Sequence, residues 1–314
     1  MAVVKGNRSR REGWLRSLVL PVLCVFILLF GWERSGYSPD SSFQLSAFAD
    51  DGSTSSGKFA HDSSQHPIIQ RTFAGFTNEQ LKPFLGMFSM VGPLHLNLAL
   101  EAAQKINEQG IEGAVVECGV WKGGVSMGMM MVNQRYNTDR HFWLYDTFEG
   151  LPEPADDKNG PHAQQLFREV QNKIHKNITT KAMELFEKRK DLEDGKWNYG
   201  PLEVVKNNMY FSGYPRDKLH FIQGKVEDTL VQPHLLPDKI AILRLDTDWY
   251  ESTKIELEVL YERLQPGGLL AIDDFCHWPG STRATEEYFR DKLGIDAQEI
   301  RNRQVPCFHY WKPK

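Results

Sequence analysis

Two groups of residues in this 314-residue chain have types and spacing that could carry out chemistry. The first is the glycine-rich segment VVECGVWKGG at 115–124, which is typical of a buried strand that turns into a helix. Glycines let such a turn approach a ligand closely, and the helix N-terminus presents free N–H groups to it. The second group is Asp246, which ends one apolar run, and Asp273 with Asp274, which end the next. If these runs are neighbouring parallel strands, all of these residues meet at one sheet edge, as a cofactor pocket beside a cation site.

The glycine turn favours a cofactor without phosphates. The dinucleotide pattern GxGxxG is missing, because Val120 and Trp121 occupy the place where a diphosphate needs a glycine. Glu117, at the end of the predicted strand, would repel a phosphate and attract a cation. A cofactor with an amino acid part and a sulfonium cation fits this environment, although Glu117 could instead be a salt-bridged helix cap. Asp146 ends the next strand, where an acid can accept hydrogen bonds from ribose hydroxyls.

The carboxylates Asp246, Asp273 and Asp274 predict a divalent cation. Neighbouring parallel strands lie about 4.8 Å apart, so acids at both strand ends need a cation between them or a shared proton. Oxygen ligands without His or Cys favour Mg²⁺, Mn²⁺ or Ca²⁺. Such an ion would lower the pKa of a substrate hydroxyl, and Asp246, Asp248 or His277 would take the proton. The competing interpretation is that these carboxylates only cap the helices that follow them.

Alternating strands and helices would position both groups. Strands are predicted at 113–117, 141–146, 219–223, 240–246, 269–273 and 307–311. Helices are predicted at 77–109 with a break at Gly92-Pro93, and at 124–136, 163–190, 202–211, 252–264 and 281–293. This order predicts a doubly wound, mostly parallel α/β sheet. Methionines at 127 and 129–131 are predicted to fill the core, and the charged segment at about 155–200 is interpreted as an insertion, either a lid or surface helices.

Residues 14–32 are predicted to form a membrane signal anchor. The run from Leu18 to Trp32 is uncharged and apolar, and five basic residues precede it, so the tail 1–13 would stay cytoplasmic. Residues 33–70, rich in Ser, Asp and Gly, predict a flexible stem, and 71–314 the folded domain. Together these features predict a single-pass type II membrane protein with a luminal (endoplasmic reticulum or Golgi) or otherwise extracytoplasmic domain. A cleaved signal peptide is the alternative.

The composition narrows the class of function. A net charge of -4, without basic residues interleaved with aromatics, argues against a nucleic-acid partner. Four cysteines without a CxxC pair argue against a zinc site or a disulfide scaffold. The oligomeric state stays open, with a homo-oligomer among the alternatives.

Five segments together resemble the macrocin O-methyltransferase (TylF-like) family of class I S-adenosylmethionine-dependent enzymes. They are SMVGPLHLNLALEA (89–102), VVECGVWKGG (115–124), YDTFEGLPEP (145–154), LEVVKNNM through FIQGKVEDTL (202–230), and the long segment 243–284 that contains LRLDTDWYES and LAIDDFCHW. They cover most of the chain from about residue 72 onward. The resemblance implies a seven-stranded Rossmann-like methyltransferase sheet, S-adenosylmethionine as the methyl donor, and hydroxyls, notably of sugars, as acceptors.

On this basis we assign roles to individual residues. Donor binding is assigned to Glu117, Gly119, Val120, Gly123, Ser126, Asp146, Thr147, Gly224 and Asp246; catalysis to Asp246 and His277; and a Mg²⁺ or Mn²⁺ ion to Asp246, Asp273 and Asp274. The expected acceptor is a hydroxyl of a small molecule or glycan. One alternative function is a type II membrane glycosyltransferase that uses Asp246-Thr247-Asp248 as a DxD metal site. Another is a glycan-binding module without catalysis, which would bind no cofactor.

Overall fold

Strands and helices alternate along the folded part of the chain. The computed structural model describes residues 73, 75–155, 158–175, 192–193, 196–301 and 308–314. The strands are β1 (Ala114–Cys118), β2 (Phe142–Asp146), β3 (Leu192–Glu193), β4 (Lys196–Trp197), β5 (Leu219–Gln223), β6 (Ile240–Leu245), β7 (Leu264–Ile272) and β8 (Phe308–Trp311). The α-helices are α1 (Asn78–Leu85), α2 (Pro93–Glu108), α3 (Gly124–Tyr136), α4 (Gly160–His175), α5 (Leu202–Phe211), α6 (Val226–Thr229), α7 (Tyr250–Leu260), α8 (Pro279–Tyr288) and α9 (Ala297–Arg301).

The main sheet is mostly parallel. Among the described residues it contains six strands in the order β5-β2-β1-β6-β7-β8, and β8 runs antiparallel to β7. A seventh strand of this sheet is not found among the described residues, so the predicted seven-stranded sheet is confirmed only as a six-stranded one. The chain reverses its direction of travel across the sheet between β1 and β6, which creates a crevice at the carboxyl ends of the strands.

Helices cover both faces of the sheet, because successive residues of each strand point to opposite sides. On one face, Val116 of β1 belongs to a buried cluster with Leu243 of β6 and Leu257 of α7. On the other face, Glu117 of β1 accepts a hydrogen bond from Ser126 of α3. The site residues at the ends of β1 and β6 therefore extend from strands that are held on both sides.

Helix α3 is buried on nearly every side, which confirms the prediction for its methionines. Met127, Met129, Met130 and Met131 have no exposed surface. The helix is enclosed because α1, α2 and α5 all pack against it. Its N-terminus, which follows the glycine turn, is fixed as a result.

Two predicted elements have different limits in the structure. Strand β7 begins at Leu264 rather than 269, because Gly267 and Gly268 exchange backbone hydrogen bonds with Lys312 in the C-terminal tail. The helix predicted at 163–190 is observed as α4, Gly160–His175, and the remainder lies outside the described residues. A short antiparallel pair, β3 with β4, follows in the insertion and was not predicted.

The predicted location in a membrane requires a correction. Within the residues that the structure describes, no helix has the length and apolar character needed to cross a membrane. This finding contradicts the predicted single-pass type II protein. The run at 14–32, on which that prediction rested, lies outside the described residues, as does the predicted stem at 33–70.

Gly119, directly after β1, is packed against the backbone that follows β6. It has φ +81°, and a Cβ atom there would lie 1.9 Å from the carbonyl oxygen of Asp246. Gly110, after α2, has a similar φ of +62° but open space around it. Substitutions at Gly119 and Gly110 therefore distinguish the cost of a steric clash from the cost of the left-handed backbone conformation alone.

We expect Gly119→Ala to lower the free energy of unfolding by about 3 kcal/mol or more, as a clash with backbone cannot be relieved by a side-chain movement. Gly110→Ala should cost about 1 kcal/mol, the penalty of the left-handed conformation alone. Urea unfolding of both variants measures the difference. Equal losses would show that the close approach of Gly119 to Asp246 is not a packing constraint.

Candidate functional site

A cavity of about 440 Å³ lies beyond the carboxyl ends of β1, β2, β5, β6 and β7. We call it the first cavity. It brings together eight of the residues singled out from the sequence, which are Gly119, Asp146, Thr147, Gly224, Asp246, Asp273, Asp274 and His277. Glu117, Val120, Gly123 and Ser126 do not line it.

Arg244, in the otherwise apolar strand β6, is the buried cation of the site. Its Nη1 lies 2.9 Å from Glu117 Oε1 and 2.8 Å from Asp246 Oδ2. Its Nη2 lies 3.2 Å from Asp273 Oδ1, at ion-pair distance but not aligned as a hydrogen bond. Burial alone would lower the pKa of this guanidinium, but the three carboxylates raise it well above its ordinary value. One positive charge therefore joins acids from β1, β6 and the turn after β7.

Glu117 is buried and paired with Arg244. Only 1% of this residue is exposed, and it accepts hydrogen bonds from Arg244 and from the Ser126 hydroxyl. Burial raises the pKa of its carboxyl, and Arg244 and Ser126 oppose that effect. Neither Glu117 nor Ser126 lines the first cavity, and their predicted contact with the donor stays a prediction. The ion pair with Arg244 agrees with the alternative interpretation of Glu117 as a salt-bridged residue.

Asp146 holds the glycine turn in place. Its Oδ2 accepts hydrogen bonds from the backbone N–H groups of Val120 at 2.7 Å and Trp121 at 3.1 Å, and its Oδ1 accepts one from Phe148 N–H at 2.7 Å. Burial raises the pKa of Asp146, and these N–H groups act against it. Val120 thus acts through its backbone, and Gly123 begins α3 with a φ of +85°. Asp146 also lines the first cavity, where its carboxylate borders the space for a ligand.

The segment Asp246-Thr247-Asp248 forms a strained turn after β6. Asp248 has φ +68°, which is uncommon for a residue other than glycine, and its N–H donates to Asp274 Oδ2 at 2.9 Å. The Thr247 hydroxyl lies 3.0 Å from Glu256 Oε1 and 3.1 Å from Oε2. Glu256, on α7, is fully buried, and burial raises its pKa well above the ordinary value. The turn is therefore anchored on two sides.

Negative charge exceeds positive charge on this side of the cavity. Burial raises the pKa of Asp248 to about 7, with Trp278 opposing the shift by a hydrogen bond and Asp273 adding to it. Burial and the neighbouring acids likewise raise the pKa of Asp274 well above its usual range. Burial raises the pKa of Asp246 despite its ion pair with Arg244. A divalent cation bound among these carboxylates would therefore reduce the repulsion between their negative charges.

The acids of the first cavity are not already arranged as the ligands of a metal ion. In the part of the chain that the structure describes, no group of three His, Cys, Asp or Glu side chains is arranged to hold a metal ion. The physical reason is Arg244, which draws one oxygen each of Asp246 and Asp273 toward itself. Adjacent strand ends do bring the acids together, but a guanidinium bridges two of them.

A second cavity, of about 990 Å³, adjoins the first. The two share five wall residues, which are Met90, Val91, Asn198, Asp248 and His277. Trp197, Trp278 and the half-exposed Met87 form further parts of the second cavity. Trp278 also packs edge-on to Trp249, with ring centroids 5.1 Å apart. Both belong to a buried cluster that includes Ala163, Phe167 and Val170 of α4. Asp248 and His277 therefore stand where the two spaces meet.

Three contributors to the site were not singled out from the sequence. Arg244 and Glu256 are charged residues within buried elements. The arginine in the apolar run IAILRLDTD could have indicated the ion-pair network, because a buried arginine requires acidic partners. Trp121 was noted only as an obstacle to a diphosphate, although it lines the first cavity.

The fold and the crevice are those of a Rossmann-like methyltransferase. The structure of the O-methyltransferase NovP superimposes with a TM-score of 0.57 over 81% of this chain and 100% of that chain, at 23% sequence identity. The family described as macrocin-O-methyltransferase (TylF) matches residues 60–312, and the chain belongs to this family. The protein is an S-adenosylmethionine-dependent O-methyltransferase.

Two relatives show how far the similarity extends. One is 8-demethyl-8-(2,3-dimethoxy-alpha-L-rhamnosyl)-tetracenomycin-C 4'-O-methyltransferase of Streptomyces olivaceus, 34% identical over 66% of this chain and 69% of the relative. The other is mycinamicin III 3''-O-methyltransferase of Micromonospora griseorubida, 30% identical over 71% and 78% of the two chains. The alternative functions, a DxD glycosyltransferase and a non-catalytic glycan-binding module, have no support in these comparisons.

The raised pKa of Asp248 predicts how stability changes with pH. The folded state holds this proton more tightly than the unfolded chain, so the stabilisation is complete below the ordinary pKa of 3.8 and is lost as the pH rises through about 7. Without divalent cations, the free energy of unfolding should fall between about pH 4 and pH 7, with this group contributing a slope of up to about 1.4 kcal/mol per pH unit.

Asp248→Asn should make that slope shallower, because the amide does not titrate. Urea unfolding at several pH values measures it, with Asp238→Asn, at an exposed position, as the matched control. Parallel pH profiles for wild type and Asp248→Asn would contradict the assignment of a raised pKa to this carboxyl.

Proposed function

We propose that this enzyme methylates a hydroxyl on the sugar of a glycoside. The observation that supports this most is the meeting of the two cavities at Asp248 and His277. A donor in the first cavity and an acceptor in the second would bring their reacting atoms together there. Trp197 and Trp278 add aromatic side chains to the wall of the second cavity, against which the apolar face of a sugar would pack. The relative from Streptomyces olivaceus carries a rhamnosyl group in the name of its acceptor.

Asp248 is proposed as the residue that accepts the hydroxyl proton. With a pKa of about 7, its carboxyl can take a proton at neutral pH and release it again. Asp246, also predicted for catalysis, is held by Arg244, which suits a role in balancing charge. His277, at the same junction, would orient the hydroxyl or relay the proton. S-adenosylmethionine, when bound, supplies the methyl group on an electrophilic sulfonium.

We propose how the parts of the methyl donor lie in the first cavity, along the carboxyl ends of the strands. Thr147 and Gly224, with Asp146, lie at the ends of β2 and β5, where an α/β fold of this kind binds a nucleoside. Gly119 follows at the end of β1, and the acids lie beyond β6 and β7. The reactive end of the donor would therefore point toward Asp248.

We further propose that Asp246, Asp273 and Asp274 hold Mg²⁺ or Mn²⁺. The support is the cluster of buried carboxylates. Burial and, to a smaller extent, the neighbouring acids raise the pKa values of Asp246 and Asp274, and Arg244 opposes this shift at Asp246. Oxygen donors of this type suit hard divalent cations. The ion, when bound, would lower the pKa of the acceptor hydroxyl. Arg244 would remain in place, holding Asp246 and Asp273 at a fixed separation.

Asp274→Asn tests the metal proposal and keeps an oxygen for the N–H of Asp248. For the wild type at about pH 8, Mg²⁺ at ten times its dissociation constant should add about 1.4 kcal/mol to the free energy of unfolding. The variant should lose this gain and lose methyl transfer from labelled S-adenosylmethionine to a panel of glycosides. Its affinity for S-adenosylhomocysteine, measured by calorimetry, should change less than about twofold.

Asp238→Asn again serves as the control and should behave as the wild type. If Mg²⁺ stabilises the wild type and Asp274→Asn equally, or stabilises neither, the proposed metal site is wrong, while the methyltransferase assignment stands. If the glycoside panel gives no product and a panel of other hydroxyl compounds does, the sugar acceptor is wrong.

A further inference from the structure

Glu256, on α7, carries a buried carboxyl group that the proposed function does not use. The residue has no exposed surface and lines neither cavity. Its Oε1 and Oε2 lie 3.0 and 3.1 Å from the hydroxyl oxygen of Thr247, in the turn after β6. Thr247 is partly exposed and lines the first cavity. Glu256 can therefore act on the site only through the residue that it contacts.

The groups that face this carboxyl supply no positive charge. Its hydrogen-bonding neighbours are Thr247 and the buried thiol of Cys118 on β1. Its charged neighbours are Glu227 in α6 and Asp246 directly after β6, and no basic side chain of the described residues forms an ion pair with it. Burial raises the pKa of Glu256 well above its ordinary value, and the hydrogen bonds offset this only in part. A buried carboxyl group without a cation takes up a proton rather than keep its charge.

A neutral acid bonds to a hydroxyl differently from an ionised one. A carboxylate only accepts, so Thr247 would have to donate its hydrogen to Glu256. A protonated carboxyl has a hydrogen of its own, and the Thr247 oxygen can accept it. The neutral form thus holds the turn without adding a negative charge beside Asp246. Carboxyl groups that apolar surroundings keep neutral serve as hydrogen-bond donors in enzymes.

The turn that contains Thr247 needs this support. Asp248, the next residue, has φ +68°, a conformation that persists only when surrounding contacts hold it. Its N–H donates to Asp274 at 2.9 Å on one side, and the contact between Thr247 and Glu256 holds the other. We propose that Glu256 is a positioning residue, which as a neutral acid donates a hydrogen bond to the Thr247 hydroxyl and so fixes the direction of the Asp248 carboxyl. This role rests on the proposed function of Asp248 as the proton acceptor.

Glu256→Gln tests the neutral state, because an amide resembles a protonated carboxyl and does not titrate. The stabilisation that this proton gives the wild type is complete below the ordinary pKa of 4.5 and is lost as the pH rises toward the raised value. In urea, the unfolding equilibrium constant of the wild type divided by that of the variant should therefore rise up to about tenfold per pH unit above about pH 5. Glu258→Gln, at an exposed position on the same helix, should give a ratio that does not change with pH.

Glu256→Leu and Thr247→Val test the positioning role, because each removes one partner of the bond and keeps a similar size. Each should lower kcat for methyl transfer to a glycoside at least about tenfold, as a displaced catalytic group would. The double variant should lose no more than either single variant, since both act through one bond. Glu256→Gln, which can still donate, should keep kcat within about threefold of the wild type. Glu256→Leu should bind S-adenosylhomocysteine within about twofold of the wild type, because Glu256 lines neither cavity.

Three outcomes would overturn this inference. They are a ratio of unfolding constants for Glu256→Gln that does not change with pH, full kcat in Glu256→Leu, and additive losses in the double variant. Asp248→Asn separates the inference from the proposed function: if it loses methyl transfer while Glu256→Leu keeps it, only the positioning role is wrong. If Asp248→Asn keeps full kcat, the proton acceptor is wrong and the positioning role with it.

Discussion

The site depends on one buried positive charge. Arg244 lies within an apolar strand and is matched by Glu117 from β1, Asp246 from the end of its own strand and Asp273 from the turn after β7. A buried charge is tolerated only when it is paired, and removing one partner of such a group costs about 3–5 kcal/mol. The guanidinium therefore fixes the separation of elements that meet at the switch point of the sheet. The glycine turn after β1 and the turn Asp246-Thr247-Asp248 after β6 therefore both adjoin the same ion-pair network.

This network also divides the acids into two sets. Glu117, Asp246 and Asp273 share the charge of Arg244, whereas Asp248 and Asp274 stand against each other, linked by a backbone hydrogen bond. The paired set provides rigidity. Asp248 and Asp274 make no ion pair with Arg244, and burial raises the pKa of both, which suits proton transfer or a cation. Glu256 adds a second anchor through Thr247. Rigid support and reactive charge thus come from neighbouring residues of the same turn.

Much of the fold could be predicted from the sequence, because apolar runs, glycines and strand-ending acids obey local rules. The ends of β1, β2, β6 and β7 follow from such patterns, and so does the burial of the methionines in α3. The position of Glu117 did not, since its strand turns that side chain toward α3 and Arg244 rather than the cavity. Nor could local rules give the φ of Asp248 or the meeting of two cavities, which depend on loops distant in sequence. The membrane location was wrong because it extrapolated from one apolar run to the whole protein.

The most direct test of this account is urea unfolding of Arg244→Met with and without saturating S-adenosylhomocysteine. The exposed Arg290→Met serves as the control. The account predicts that Arg244→Met loses at least about 3 kcal/mol of unfolding free energy and gains little from the ligand, because both turns lose their common support. A variant that stays within about 1 kcal/mol of the wild type, and is stabilised by the ligand to the same extent, would contradict it.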